Sequence, residues 1–278
     1  MSVKMTVLLE NTACGDALRH AHGLSLHFDT GRTKLLFDAG PNAAFAANAQ
    51  ALGVDLAAVD VAILSHGHYD HGGGLRTFLE RNSRAKVLIH EGAFGPRYAA
   101  APDGSRHCIG LDPTLREFAD RFVTVRGVTQ IGDELTLFDD VKDTFGALTA
   151  SVTLTEELPD GTLRPDEFAH EQDLLITVGG RAVLVAGCAH RGIVNIRDKA
   201  AALLGREPDA VVAGFHLFEL TEGEPDADAL IDRTGRALLT GDTVYYTGHC
   251  TGDYAYGRLK DILGDRLHRI RGGMTAEL

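Results

Sequence analysis

The sequence predicts an α/β protein built as a four-layer αββα sandwich, with two mixed sheets face to face and helices on both outer sides. Three observations point to it. Strand-like and helix-like segments alternate along the chain, and the strand-like ones fall in two runs, each flanked by helical spacing. No repeat, linker or low-complexity stretch interrupts the 278 residues, so a single domain over 1–278 is expected, long enough to bury a large core.

Residues 3–9, 24–28 and 34–37 read as short strands, the last two joined by the turn Thr30-Gly31-Arg32-Thr33. The run halts at Asp38-Ala39-Gly40-Pro41, and alanine-rich residues 43–52 read as a helix. Val61-Ala62-Ile63-Leu64 is a continuous apolar run with the length of a buried strand. Residues 75–81 read as a helix and 86–90 as a strand. Residues 92–120 contain Arg97, Tyr98 and Asp103-Gly104-Ser105 but no clean period, and are expected to form a long irregular excursion on the substrate side. A β-rich stretch is expected through 122–155, and strands at 174–178 and 182–186 flank Gly179-Gly180, a pairing that tight hairpins favour. Helices at 193–204, 226–239 and 254–263 alternate with strands at 210–213, 244–246 and 267–271, the last closing the chain.

Apolar residues make up 44% of the chain and charged residues 24%, an ordinary globular balance. The net charge of −12 runs against nucleic-acid binding, which needs a concentrated lysine or arginine surface. Bound cations would offset part of it. The start Met1-Ser2-Val3-Lys4-Met5 lacks the basic region and apolar stretch of a signal peptide, and no segment reaches membrane-spanning length. The expectation is a soluble cytoplasmic protein, monomer or homo-oligomer, whose partner is a small-molecule substrate rather than nucleic acid or membrane. Cys14, Cys108, Cys188 and Cys250 show no paired spacing, so reduced thiols are expected.

The densest chemistry is Ser65-His66-Gly67-His68-Tyr69-Asp70-His71-Gly72-Gly73-Gly74, directly after the apolar run. Imidazole nitrogens and a carboxylate oxygen are the donors that a borderline divalent ion such as zinc prefers. His66 and His68, two apart, share one face of extended backbone; Asp70 and His71 follow the bend, where they can face a second ion. The glycines after them let the backbone pass close by. A solvated polar loop is the alternative, and the concentration of three of the thirteen histidines within six positions weighs against it.

Further ligands are expected just past other strand ends. Gly187-Cys188-Ala189-His190-Arg191-Gly192, Gly214-Phe215-His216-Leu217 and Gly248-His249-Cys250-Thr251-Gly252 all meet that rule. Cys188 and Cys250 read as small apolar fillers, with thiolate ligation as the alternative. His170, just before its strand, suits a supporting or substrate role as well as coordination. Asp242, in Thr240-Gly241-Asp242, reads as a turn residue, and the histidines at 20, 22, 27, 90, 107 and 268 read as structural.

His66-x-His68-x-Asp70-His71, after an apolar strand and before glycines, resembles the signature of the metallo-β-lactamase fold superfamily, and the order of elements is similar too. Asp38, in Phe37-Asp38-Ala39-Gly40, matches the aspartate that supports the cluster in that superfamily. Glu10-Asn11, His22-Gly23-Leu24-Ser25, His170-Glu171-Gln172 and the segments around His190, His216 and His249 narrow the resemblance. They point to the group of metal-dependent hydrolase-like proteins that includes an archaeal dihydropterin aminobenzene ribofuranosyl phosphate synthase.

The resemblance implies a metal-activated water and hydrolysis of a small anionic, carbonyl- or phosphoryl-containing substrate. It implies one or two divalent ions, zinc first, with manganese and iron as alternatives. His66, His68 and His190 would hold one ion, and Asp70, His71 and His249 the other. Asp70 would also carry a proton to the leaving group. His216 would lie at the rim and bond an anionic group, with Arg97 and Tyr98 as weaker substrate contacts. Two features depart from the superfamily: the strand that usually ends in a bridging Gly-Asp ends here in Gly187-Cys188, and the usual preceding histidine falls near Asp166. Group transfer on a pterin or aminobenzene ribotide is the alternative. A di-iron redox protein would carry a glutamate where His68 stands and a flavin domain, and a non-catalytic binding module would tolerate loss of ligands; this chain has neither feature of the first and keeps the whole first cluster.

Overall fold

A computed structural model describes residues 2–101, 103–146 and 154–278. The chain opens with β1 (Lys4–Leu9), β2 (Ser25–Asp29), β3 (Lys34–Phe37), α1 (Ala44–Ala51) and β4 (Val61–Ile63). The one-turn α2 (Tyr69–Gly72) and α3 (Leu75–Arg81) precede β5 (Lys86–His90), β6 (Arg97–Ala100), β7 (Arg106–Cys108) and β8 (Phe122–Val125). Next come β9 (Thr129–Ile131), β10 (Leu135–Phe138), β11 (Leu154–Glu157), β12 (Leu163–Pro165), β13 (Asp173–Val178) and β14 (Arg181–Val185). The chain ends with α4 (Ile193–Leu204), β15 (Ala210–Gly214), α5 (Pro225–Leu238), β16 (Val244–Gly248), α6 (Asp253–Leu263), β17 (Leu267–Arg269) and β18 (Thr275–Glu277).

These elements form two compact units: the described residues within 2–126, 154–172 and 271–277 make the first, and those within 127–146, 173–270 and 278 the second. The first unit holds a seven-stranded mixed sheet in the order β18-β1-β2-β3-β4-β5-β8. Strands β18, β1, β2 and β3 pair antiparallel, while β3, β4, β5 and β8 run parallel. Phe45 and Ala49 of α1 and Phe78 of α3 pack on Leu36, Ala62, Val87 and Ile89 of this sheet. The second unit repeats the arrangement, with seven strands in the order β17-β16-β15-β14-β13-β10-β9. Its parallel half is β14 to β17, on which Ile193 and Ile196 of α4, Ile231 of α5 and Leu259 of α6 pack. Leu174, Ile176, Val183, Val185 and Val212 are buried although they point away from those helices, which is why these strands read as unbroken apolar runs. The α/β class with two large mixed sheets and helices is thus the observed one.

The excursion at 92–120 is not irregular. It contains the hairpin β6-β7, and β11 and β12 add to it in a four-stranded sheet of order β12-β11-β6-β7. On its other edge β6 closes its hydrogen bonds with β11, far along the chain, so no local period marks that pairing. The expected β-rich stretch through 155 falls in part on residues 147–153, outside the described residues. Leu267–Arg269 does not close the chain either: β18 follows it and pairs antiparallel with β1. Among the described residues no helix is long and apolar enough to cross a membrane.

Candidate metal centre

In the first unit the chemistry gathers at the carboxyl ends of adjacent parallel strands. Asp38 follows β3, and Ser65 to His71 follow β4. The turn is held by backbone bonds: Tyr69 N–H donates to the Ile109 carbonyl at 2.8 Å, and His71 N–H and Gly72 N–H donate to His68 O. Close approach explains the glycines. A Cβ at Gly67 would lie 2.1 Å from the Ala93 carbonyl oxygen, and one at Gly73 would lie 2.2 Å from that of Pro41.

His66, His68 and His71 come together, with ring centroids 4.5 Å apart for His66–His68 and 4.2 Å for His66–His71. His66 and His71 are fully buried. The ring of His71 thus lies as near to His66 as that of His68 does. Asp70 sits in the first turn of α2, with Oδ2 at 3.6 Å from His71 Nε2 and 3.5 Å from His22 Nε2.

Asp38 determines which nitrogen each ring presents. Its Oδ1 accepts from Ser65 N–H at 2.7 Å, and its Oδ2 accepts from Ser65 Oγ at 2.7 Å and His71 Nδ1 at 2.6 Å. Ser65 Oγ has one proton, which goes to Asp38, so it accepts from His66 Nδ1 at 2.8 Å. Both rings therefore carry their proton on Nδ1 and offer the Nε2 lone pair, as metal-binding imidazoles backed by a carboxylate do. Asp38 itself holds a left-handed backbone, φ 60°, a strained conformation typical of functional turns. Burial, reinforced by His170, holds His68 well below the ordinary imidazole range, so it is neutral at pH 7.

A second buried chain braces the turn. His170 Nδ1 accepts from Gly67 N–H at 2.9 Å, and its Nε2 faces Asp166 Oδ2 at 3.2 Å. Asp166 also accepts from Phe168 N–H at 2.7 Å and pairs with Arg97 Nε at 3.2 Å. Burial lowers His170 to about 4 despite Asp166. Burial works against ionisation of Asp166, but the bond from His170 and the Arg97 charge bring it down to about 2. The Asp166 carboxylate is thus engaged by Arg97, His170 and the Phe168 amide. Arg97 is not a substrate contact: it is 3% exposed, and its guanidinium also donates to the carbonyls of Gly92 and Gly95. Tyr98 is tied by its hydroxyl to Glu157 at 2.8 Å.

In the second unit, the carboxyl ends of the parallel strands β14, β15 and β16 carry Cys188 and His190, His216, and His249 and Cys250 respectively. All five are buried. Ala189, His216 and His249 are non-glycine residues at φ 53°, 47° and 48°, so all three turns are strained where donors sit. The ring centroids of His190 and His216 are 4.1 Å apart. His216, expected at a rim, is only 5% exposed. Donor atoms of Cys188, His190 and His216 lie within 4.8 Å of one another, as do those of Cys188, His249 and Cys250. The two thiols read as apolar fillers are therefore set among imidazoles. Burial alone would push the Cys250 thiol up, but hydrogen bonding with Cys188 and His216 and the nearby His249 hold it well below its ordinary value. None of the four cysteines is in a disulfide.

The sequence profile of the metallo-beta-lactamase superfamily matches residues 24–271. The chain belongs to that superfamily. Over 274 residues it is 27% identical to an uncharacterized protein of Methanocaldococcus jannaschii, covering 93% of this chain and 98% of the relative. At 27% identity over 273 residues it also matches the 7,8-dihydropterin-6-methyl-4-(beta-D-ribofuranosyl)-aminobenzene-5'-phosphate synthase of the same organism, covering 91% of this chain and 88% of the synthase. The crystal structure of a metal-dependent hydrolase of the beta-lactamase superfamily is similar with a TM-score of 0.82 and 26% identity, over 99% of both chains.

The metallo-beta-lactamase superfamily binds divalent metals, and the donors here suit one: neutral, buried imidazoles with oriented Nε2 atoms, a carboxylate and thiols. Asp242 lies in an exposed turn between α5 and β16, away from any strand end that carries donors. His22, read as structural, stands beside Asp70. A local signal for it is Gly23, where a Cβ would lie 2.4 Å from the Asp70 carbonyl oxygen.

Proposed function

We propose that this protein is a metal-dependent hydrolase, acting in the cytoplasm on a small anionic or carbonyl- or phosphoryl-containing substrate. The residues that hold its metal are His66, His68, Asp70, His71, His190 and His249, a ligand count that suits two ions, zinc foremost. The observation that carries this reading is the Asp38 network, in which one carboxylate, with Ser65, sets the Nε2 atoms of both His66 and His71 to face a cation.

A bound divalent cation would supply a water activated near neutral pH and polarisation of a carbonyl or phosphoryl oxygen. Asp38 and Ser65 keep the protons of His71 and His66 on Nδ1. Asp166 and His170 hold the Gly67 amide, and with it the spacing between His66 and His68. Asp70 takes up and returns a proton at Oδ2. Exposed His22, 3.5 Å from that oxygen, gives the proton an exit toward solvent.

The test combines elemental analysis with a panel of lactone, phosphodiester, thioester and amide substrates. Stoichiometry near two, with hydrolysis of one class that disappears in His66→Ala, is the expected result. Protein that contains no metal after purification and gains no hydrolytic activity on zinc, manganese or iron addition would overturn it. A second reading, group transfer, is favoured by the likeness to the dihydropterin synthase. It predicts condensation of a dihydropterin diphosphate with an aminobenzene ribotide, measured directly by product formation.

A further inference from the structure

We propose, on the metal-dependent reading above, that the second unit binds its cation through thiolates: Cys188 and Cys250 are ligands together with His249. The preferred occupant is a thiophilic divalent ion, zinc or iron(II), over manganese or magnesium. Two turns leaving parallel strands place the donors. Cys188 follows β14, and His249 and Cys250 follow β16, with β15 between them. β15 ends in Gly214, where a Cβ would lie 2.4 Å from Cys250 Sγ and 3.5 Å from Cys188 Cα. The missing side chain leaves the space in which the Cys250 sulfur reaches over β15 toward Cys188, whose carbonyl oxygen it meets at 3.6 Å.

The two sulfurs and a His249 nitrogen lie within 4.8 Å of one another. Tetrahedral zinc, with Zn–S about 2.3 Å and Zn–N about 2.0 Å, sets its donors about 3.3–3.8 Å apart, so small side-chain rotations complete the site. His190 and His216 stand within the same 4.8 Å of Cys188 and supply a further nitrogen. A cysteine that merely fills apolar space is surrounded by carbon, whereas these two, 3% and 2% exposed, face imidazoles and each other.

Cobalt(II) titration of the full-length reduced protein tests this without reference to hydrolysis. A thiolate-to-cobalt charge-transfer band in the near ultraviolet is expected, together with the visible bands of a tetrahedral ion. The band should survive Cys14→Ser and Cys108→Ser, whose sulfurs are exposed; it should weaken in Cys188→Ser and in Cys250→Ser, each of which keeps one thiolate, and be lost when both cysteines are replaced. Manganese should fail to displace the cobalt at concentrations where zinc displaces it completely. No charge-transfer band in the cobalt-loaded wild-type protein, a result independent of whether any variant folds, would overturn the proposal. So would a band of undiminished intensity in either cysteine variant, or any band once both cysteines are replaced. A band without hydrolysis of any substrate class would count against the hydrolase reading and leave the thiolate site standing, whereas metal-dependent hydrolysis without the band would do the reverse.

Discussion

Replacing Asp38 with asparagine keeps the side chain's shape and its tolerance of a positive φ, but turns one acceptor oxygen into a donor. In the native protein Oδ2 accepts from both Ser65 Oγ and His71 Nδ1. With an amide nitrogen in that place, Ser65 Oγ must accept and pass its own proton to His66 Nδ1, and His71 Nδ1 must accept as well. Both imidazoles then carry their proton on Nε2, the atom a cation needs free. Loss of a supporting carboxylate of this kind lowers metal affinity about 10–100-fold, or about 1.4–2.7 kcal/mol. The metal-free fold should lose little, because the rearranged network is still satisfied. Asp38→Ala differs: it strands three buried donors, at about 1–3 kcal/mol each, so the metal-free protein should lose at least about 3 kcal/mol. Zinc affinity by competition with a chromophoric chelator, alongside urea unfolding of the metal-free proteins, separates the two effects. Zinc affinity of a folded Asp38→Asn protein within twofold of wild type would refute the tautomer mechanism.

Arg97→Met leaves the buried Asp166 carboxylate without its counter-charge and should cost about 3–5 kcal/mol in urea unfolding. Arg84→Met, which breaks an exposed pair with Asp60, should cost no more than about 1 kcal/mol, and similar losses in both variants would contradict the assigned burial. Gly73→Ala sets a Cβ 2.2 Å from the Pro41 oxygen and 2.6 Å from that of Tyr69, both backbone atoms. It should destabilise by about 1–3 kcal/mol and weaken zinc binding, and an unchanged melting temperature would count against this packing. Burial lowers His27 to about 4 from 6.5. Above the unfolded value the ring is neutral in both states, so its cost is absent there; as pH falls from about 6.5 to 4 the unfolded chain takes the proton first and stability drops. His27→Gln should reduce the stability lost between pH 7 and pH 4 by about 1–3 kcal/mol, and an unaltered pH profile from urea midpoints would exclude His27 as the source.

Much of this architecture was legible because it is local. The four-residue apolar run before Ser65 marks a strand, the Gly179-Gly180 pair marks a hairpin, and both lie where expected. The donors of the metal turn are adjacent in sequence, so their grouping needed no fold. The hairpin β6-β7 was missed because its other partner, β11, lies beyond residue 150, and no period inside 92–120 reports on it. β18 was missed because a three-residue strand has too few positions to show alternation, and its place comes from β1 at the opposite end of the chain. Arg97 reads as a substrate contact because nothing near it in sequence neutralises it; Asp166 does, from the far side of the small sheet.

The residue types suited to ligate a cation, and the strand ends that carry them, were set by the sequence alone, since side-chain chemistry and short-range backbone preference belong to each segment by itself. The tertiary structure decided which nitrogen of His66 and His71 is presented, that Cys188 and Cys250 meet across β15, and that Asp166 and His170 brace the turn. Those outcomes depend on hydrogen-bond partners and burial that exist only once parallel strands bring distant turns to one edge.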